Sequence, residues 1–428
     1  MIHLTMLLPP YPARLRLFAV GAFLLFFIGQ CQSQFRPPQV EITNADTVGY
    51  GFFHQNDNVI DNPQSLSRLF DKLLAQRVGG GKKVSIVHIG DSHILGNFLT
   101  QEVRNRLQRE FGDAGRGLIF PYKLAQSNGP KDYLVETNCR WTGSNCQRDL
   151  SAETQHGVSG FKLETTNIRG ELTFRLRDTA TAETQLFTKV TVFQRKSPLL
   201  FDLQLRDDVT NQTAQLFIED DFSRSYYFDR PVGQVTIAAQ KTESTQRLLS
   251  IDGISLENEL SGVIYHSIGV NGAKFMDYAR AKFFARQVAN LEPDLVVFSF
   301  GTNEGQGNTP PEYMRQTMDA LINQIQESYP SAMILLTTPA DSYLRGKGFN
   351  PYLNEVSAVI REYAQKKHYA LWDLHEFSGG ENSAASWKSS GLMSSDSVHY
   401  SKAGYAVQGK LLYQSIIKAY NAYVETKR

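Results

Sequence analysis

The sequence contains few cysteines and has almost no net charge. Three cysteines among 428 residues exclude a cysteine-rich zinc site. The formal net charge of +1 argues against a nucleic-acid-binding protein and against a polybasic membrane-binding surface. Histidines and carboxylates nowhere recur at metal-ligand spacing, so we expect neither a metal nor a cofactor.

Hydrophobic residues, in contrast, are plentiful. They make up 41% of the chain, which indicates a large folded core rather than global disorder. The length is sufficient for two or three domains. The 26 phenylalanines and 19 tyrosines are typical of sugar-facing surfaces as well as of a large β-rich core, and we favour the core.

The N-terminal segment indicates export. Arg14 and Arg16 precede an apolar run over residues 17–28, which is too short for an ordinary membrane span but fits a signal peptide. Cys31 follows in a sequence that faintly resembles a bacterial lipobox. Residues 1–31 are therefore predicted to be a signal peptide or a lipoprotein signal and anchor, with Cys31 lipidated in the second case. Either reading predicts a protein in the periplasm or attached to the outer membrane of a bacterium.

The two remaining cysteines are compatible with an oxidising compartment. Cys139 and Cys146 enclose a short polar segment, and they are predicted to form a disulfide after export. The alternative is a pair of free buried thiols, which is less common in an exported chain.

Hydrophobic periodicity divides the remaining chain into three parts. Residues 32–48 are polar, contain Pro37-Pro38 and are predicted to be a linker. Between residues 125 and 261 the pattern is one of short alternating segments separated by polar turns, which predicts an inserted antiparallel β-sandwich domain. Residues 49–124 and 262–428 alternate between apolar strands and helices and are predicted to form one discontinuous α/β domain.

The α/β domain is predicted to contain a parallel, doubly wound sheet. Five buried strands, at residues 84–89, 263–268, 295–300, 332–338 and 369–373, alternate with helical segments. Because ligands of such sheets bind beyond the carboxyl ends of the strands, the residues that follow each strand are the candidates for function.

Two of these segments contain residues that can act as a nucleophile and as an acid–base pair. In Gly90-Asp-Ser-His93, Ser92 follows a strand and is exposed at the sheet edge, where an adjacent base can activate its hydroxyl. In Asp396-Ser-Val-His399, the spacing allows Asp396 to orient the imidazole of His399 while the other ring nitrogen faces the serine. Taken alone, the first motif is better explained as a capped turn between a strand and a helix, and the second as a surface loop whose aspartate caps the last helix.

Two further strand ends can supply oxyanion donors. Asn303, in Gly301-Thr-Asn-Glu304, has an uncharged amide that donates hydrogen bonds. Gly272, after the strand at 263–268, exposes a backbone amide without side-chain interference. Asn303 is otherwise explained as an ordinary turn residue.

The ordered set Ser92, Gly272, Asn303 and Asp396/His399 resembles the four sequence blocks of the SGNH (GDSL-type) hydrolases. The match covers roughly residues 82–124 and 262–425, and it implies a flavodoxin-like three-layer α/β/α sandwich. His93 stands where many members have leucine. A chain with this histidine, a β-rich insertion and an exported N-terminus resembles the bacterial peptidoglycan O-acetylesterases. In those proteins the insertion resembles a carbohydrate-binding module.

The resemblance implies an exported serine esterase that removes O-acetyl groups from a polysaccharide, with peptidoglycan the first choice of substrate. Ser92 is the expected nucleophile, His399 the base and Asp396 the acid, and the oxyanion donors are Ser92, Gly272 and Asn303. We expect a monomer. His88 and His266, which lie within strands, are expected to be structural.

Three alternatives stay open at this point. The same acyl-enzyme could serve an O-acyltransferase that acts on a glycan. The chain could be a non-catalytic glycan-binding protein, although the complete set of site residues argues against this. A lipase is less favoured because no long apolar lid is present in the sequence.

Overall fold

The computed structural model describes residues 38–42, 49–177 and 185–427. The predicted signal segment with Cys31, and the linker residues 32–37 and 43–48, lie outside the described residues. Within the described ranges, no helix has both the length and the apolar character needed to cross a membrane.

A parallel sheet forms the centre of the α/β part of the chain. Its five parallel strands are Val84–Gly90, Val263–Gly269, Leu295–Ser299, Met333–Thr337 and Ala370–Trp372. Numbered along the chain, they lie in the spatial order 2-1-3-4-5, which is the flavodoxin-like order that the resemblance implies.

The sheet has one more strand than the five predicted. Residues Ile60–Asp61 pair antiparallel with the fifth parallel strand and form the sixth strand at the edge. A two-residue segment is too short to carry a periodic sequence pattern, which is why the sequence contains no sign of it.

Helices cover both faces of this sheet. Alternate residues of the first strand point to opposite sides, so that Ile86 and Val87 belong to different apolar cores. The helices Ser67–Arg77, Phe98–Phe111 and Lys402–Glu425 pack on the side of Ile86, and the helices Phe284–Ala289, Pro311–Ser328 and Leu353–Lys367 pack on the side of Val87. The short helices are Ser92–Leu95, Phe275–Ala279, Thr302–Gln306, Leu374–Phe377 and Ala384–Ser389.

Between the second and third parallel strands the chain forms two short helices, Phe275–Ala279 and Phe284–Ala289, rather than one continuous helix. The backbone between them pairs with the inserted segment: Thr154 N donates to Arg280 O at 2.8 Å, and Lys282 N donates to Thr154 O at 2.9 Å. These bonds replace intrahelical ones, so the helix stops where the insertion contacts it.

The inserted segment consists of antiparallel sheets. Two of these sheets have five strands each. The first contains Tyr133–Thr137, Glu171–Leu176, Asp202–Asp207, Gln212–Thr213 and Gln234–Gln240. The second contains Gly117–Ile119, Phe187–Phe193, Gln215–Glu219, Ser223–Val232 and Gly253–Glu257. A three-stranded sheet contains Thr142–Asn145, Phe161–Thr165 and Leu249–Ile251. Apolar side chains of both larger sheets share one core, as expected for a sandwich. The strand Gly117–Ile119 lies upstream of the predicted domain boundary at residue 125.

Cys139 and Cys146 are both free, so the predicted disulfide between them is not formed in the structure. The strand Thr142–Asn145 separates the two residues. An extended strand of four residues spans about 13 Å, whereas the Cα atoms of a disulfide lie within about 7 Å of each other. The sequence separation is short, but the extended backbone keeps the thiols apart.

A buried ion-pair network ties the insertion to the α/β part. The carboxylate of Asp132, next to the strand Tyr133–Thr137, accepts hydrogen bonds from Arg104 Nη2 and Arg116 Nη2, each at 3.1 Å. Arg104 belongs to the helix Phe98–Phe111. All three residues are almost inaccessible to solvent, so the network holds the start of the insertion against the α/β part.

Candidate active site

Ser92 begins a four-residue helix directly beyond the first parallel strand. The side chain of Asp91 caps this helix by accepting a hydrogen bond from His93 N at 2.8 Å. The preceding turn requires glycine, because a Cβ atom on Gly90 would lie 2.5 Å from the carbonyl oxygen of Ser299 on the neighbouring strand. The sequence thus presents the Ser92 hydroxyl at the carboxyl edge of the sheet, where such folds bind ligands.

The Ser92 hydroxyl is connected to a histidine and a carboxylate. Its Oγ atom lies 2.9 Å from Nε2 of His399, and Nδ1 of His399 lies 2.6 Å from Oδ2 of Asp396. Residues about 300 positions apart in the chain therefore form one continuous hydrogen-bonded series. This arrangement can transfer a proton from the hydroxyl to the imidazole while the carboxylate orients the ring.

Asp396 is held in place by further hydrogen bonds. Its Oδ1 atom accepts from the Ser394 hydroxyl at 2.6 Å and from the backbone amides of Val398 and His399, each at 3.0 Å. Partial burial alone would raise the pKa of Asp396, but the bonds from Ser394 and His399 outweigh it and place the pKa well below the ordinary value. The group is therefore a carboxylate at neutral pH.

Asn303 and Gly272 lie in the loops beyond the neighbouring strands. Asn303 Nδ2 donates to Asp91 Oδ2 at 2.9 Å and to the carbonyl oxygen of Ala273 at 3.1 Å. It thereby joins the Ser92 turn to the loop that contains Gly272, whose φ of +75° lies in the left-handed region. Both N–H groups of the Asn303 amide are engaged in these bonds.

Two buried carboxylates support the same loops. Burial raises the pKa of Asp91 to about 8 and that of Glu304 to about 7. Glu304 accepts hydrogen bonds from Phe275 N at 3.1 Å and Gly301 N at 3.0 Å, and thus connects the loops after the second and third strands. The sequence offers no signal for the Asp91–Asn303 contact, because it depends on how separate loops meet.

His93 packs beside His399 and, among the described residues, makes no hydrogen bond to Ser92. The two imidazole rings lie 5.1 Å apart between centroids, and His93 Nδ1 lies 3.0 Å from the Tyr405 hydroxyl. Burial lowers the pKa of His93 to about 3, so the ring is neutral. The two strand histidines are structural, as expected: His88 bonds to Tyr265 and Ser299, and His266 accepts from Leu118 N.

The insertion also reaches this region. A Cβ atom added to Gly272 would lie 3.6 Å from both Cδ and Nε2 of Gln147. Asn271 Nδ2 donates to Asn128 Oδ1 at 2.6 Å and to the Ser127 hydroxyl at 3.3 Å. Sequence reasoning missed these residues because they belong to no motif and come from a different part of the chain.

Comparison with known proteins agrees with this architecture. Residues 251–407 match the GDSL-like Lipase/Acylhydrolase family. A solved structure described as "Peptidoglycan O-acetylesterase in action, 5 min" has a TM-score of 0.69 and 23% sequence identity, and the match covers 87% of this chain and 100% of the other. A search of curated proteins finds no match.

Two other solved structures match a smaller part of the chain. The lipase/acylhydrolase from Enterococcus faecalis has 21% identity and a TM-score of 0.31, with coverage of 37% of this chain and 78% of the other. A GDSL-like lipase from Bacteroides thetaiotaomicron has 21% identity and a TM-score of 0.29, with coverage of 36% and 76%. Residues 251–407 therefore match a GDSL-like acylhydrolase domain, and the chain as a whole resembles a peptidoglycan O-acetylesterase in fold.

Proposed function

We propose that this protein is an exported serine esterase that removes O-acetyl groups from a polysaccharide, with peptidoglycan the first choice of substrate. The observation that carries the proposal is the hydrogen-bonded series from Ser92 through His399 to Asp396 at the carboxyl edge of the parallel sheet. The signal-like N-terminus supports export. The fold shared with a peptidoglycan O-acetylesterase over 87% of the chain supports the choice of substrate.

The proposed reaction begins with attack of Ser92 Oγ on the acetyl carbonyl carbon. The hydroxyl proton passes to His399 Nε2, and the carbonyl oxygen becomes an oxyanion. His399 then donates that proton to the sugar oxygen as the ester bond breaks, which leaves an acetyl group on Ser92. Water, deprotonated by His399, attacks this acetyl-enzyme, and acetate leaves as Ser92 regains its proton.

The oxyanion would be bound by the backbone amides of Ser92 and Gly272 and by the side chain of Asn303. Since both N–H groups of Asn303 already have partners, one of its bonds, to Asp91 or to Ala273, must be shared or exchanged when substrate binds. Hydrogen bonds in a site without substrate commonly rearrange in this way as the reactive complex forms.

The test is acetate release by the purified protein from O-acetylated peptidoglycan and from acetylated xylan, comparing wild type with Ser92→Ala. We expect the substitution to lower kcat by at least roughly 10⁴-fold. Ser389→Ala is the matched control, because Ser389 is exposed and its hydroxyl bonds, among the described residues, only to Ser386 O. Near-normal turnover by Ser92→Ala would refute the proposed nucleophile, and faster release from xylan would refute the peptidoglycan assignment.

A further inference from the structure

Gln147, a residue of the insertion, lies beside the glycine proposed to bind the oxyanion. Its side-chain amide approaches to 3.6 Å the position that a Cβ atom of Gly272 would take. The side chain is half-buried, yet among the described residues no hydrogen bond joins its amide to another group. A glutamine amide offers donors and an acceptor, so this amide is available to a bound molecule.

The backbone of Gln147 is fixed although its amide has no partner among the described residues. Arg280 Nη2 donates to the carbonyl oxygen of Cys146 at 2.7 Å and to that of Gln147 at 3.4 Å, and Asp277 holds the same guanidinium nitrogen at 2.9 Å. Cys146 N also donates to Gly160 O at 2.9 Å. A side chain on an anchored backbone loses less entropy on binding a ligand than one on a mobile loop does.

The other contacts between the insertion and this loop are made by uncharged groups. Ser127 and Asn128 accept hydrogen bonds from Asn271, the neighbour of Gly272. With Gln147 they present amides and hydroxyls at the side of the loop. This chemistry suits a substrate with hydrogen-bonding groups, and it does not suit an alkyl chain, which would leave the amide unpaired.

We propose that Gln147 is a substrate-binding residue, whose amide hydrogen-bonds a hydroxyl or an N-acetyl amide of the sugar that carries the acetyl ester. The inference rests on the esterase function proposed above and adds a specificity determinant from the insertion. Gln147 takes no part in bond breaking, so its contribution is to bind the sugar and thereby raise the preference for glycan esters over simple ones.

The test compares Gln147→Ala with wild type on three acetyl esters: O-acetylated peptidoglycan, acetylated xylan and 4-nitrophenyl acetate. The last has no sugar. Loss of one neutral hydrogen bond should lower kcat/KM on a glycan roughly five- to ten-fold. Because the lost bond stabilises bound substrate and transition state alike, the change should fall on KM with kcat nearly unchanged. Hydrolysis of 4-nitrophenyl acetate should stay within about two-fold.

The three substrates also identify the recognised group. A loss confined to peptidoglycan supports recognition of the N-acetyl amide, and a loss on both glycans supports recognition of a hydroxyl. An unchanged kcat/KM on both glycans, or an equal loss on all three esters, overturns the proposal. Gln147→Asn, with a shorter amide, should also raise KM, while the exposed neighbour Arg148→Ala is the matched control.

Failure of this inference is distinguishable from failure of the esterase function. If wild type hydrolyses none of the three esters, the proposed function is wrong. If wild type hydrolyses all three and Gln147→Ala behaves like Arg148→Ala, the esterase function stands and only the assignment of Gln147 is wrong. Thermal melting of each variant identifies any loss of activity that comes from unfolding.

Discussion

The α/β part and the inserted β part of this chain position polar residues in different ways. The first two parallel strands are buried along their whole length, so polar groups with a chemical function are placed beyond the strand ends. The strands Phe161–Thr165 and Asp202–Asp207 alternate between buried and more exposed residues, and the insertion reaches the site through its loops. In the function that we propose, the α/β part supplies the reactive groups and the insertion supplies binding groups.

The largest expected effect tests the α/β side of this comparison. Asp396→Asn should lower kcat on an acetyl ester by about 10⁴-fold, because an amide N–H facing His399 Nδ1 favours the wrong tautomer of the imidazole. The fold should persist, since the new amide oxygen can still accept from Val398 N and His399 N. Steady-state kinetics and a thermal melting curve measure the two quantities.

A matched aspartate in the insertion supplies the control. Asp208 is exposed and pairs with Arg206, outside the site, so Asp208→Asn should leave kcat within about two-fold. Comparable losses in the two variants would mean that the division between reactive and binding parts is wrong.

The difference between the two parts also explains why positions in the α/β part could be predicted from the sequence more completely than strand bounds in the insertion. The positions of Ser92, Asn303 and His399 could be predicted from the sequence, because each residue follows a strand or precedes a helix in a recognisable order along the chain. The bounds of the long strand Ser223–Val232 could not be predicted, because its charged residues and Pro231 obscure the alternation. Its pairing with the strand Phe187–Phe193 also contains a register shift, which a periodicity argument cannot detect.

Contacts between loops were not predictable from the sequence. The bond between Asp91 and Asn303 joins residues 212 positions apart, and the approach of Gln147 to Gly272 depends on how the insertion packs. The disulfide prediction failed for a related reason, because sequence separation alone does not show that an extended strand lies between Cys139 and Cys146.

The next effect in size concerns the junction that holds the two parts together. Asp132→Asn should lower the free energy of unfolding by about 3–5 kcal/mol, because Arg104 and Arg116 would become buried charges without a carboxylate partner. Urea-induced unfolding measures the change. The control is Glu153→Gln, which removes the exposed ion pair with Lys282 between the same two parts and should cost less than about 1 kcal/mol.

The Asp132 network also has a defined pH dependence. Burial alone would raise the pKa of Asp132, but Arg116 and Arg104 outweigh it and hold the pKa at about 2, below the ordinary 3.8. The stabilisation is therefore complete above pH 4 and is lost as the pH falls towards 2. If wild type and Asp132→Asn lost stability in parallel over this range, Asp132 would not be the group responsible.

The smallest expected effect concerns Asp252, a second buried carboxylate between the two parts. Its Oδ2 atom accepts from Gln287 Nε2 at 2.8 Å, and no described residue bonds to Oδ1. Burial raises the pKa of Asp252 to about 7, so the folded protein binds this proton more tightly than the unfolded chain does. The sign is opposite to that of Asp132: wild-type stability should decline as the pH rises from about 4 to 8.

The variant Asp252→Asn tests whether the charge of Asp252 destabilises the folded protein, in contrast to that of Asp132. The new amide can keep the bond to Gln287 through its oxygen and carries no charge, so it should match wild type near pH 4 and exceed its stability at pH 8, by at most about 4 kcal/mol. Urea unfolding at both pH values measures the difference. A variant that is less stable than wild type at pH 8 would mean that Asp252 is paired in the folded protein, and that both carboxylates at the junction stabilise the contact through their charge.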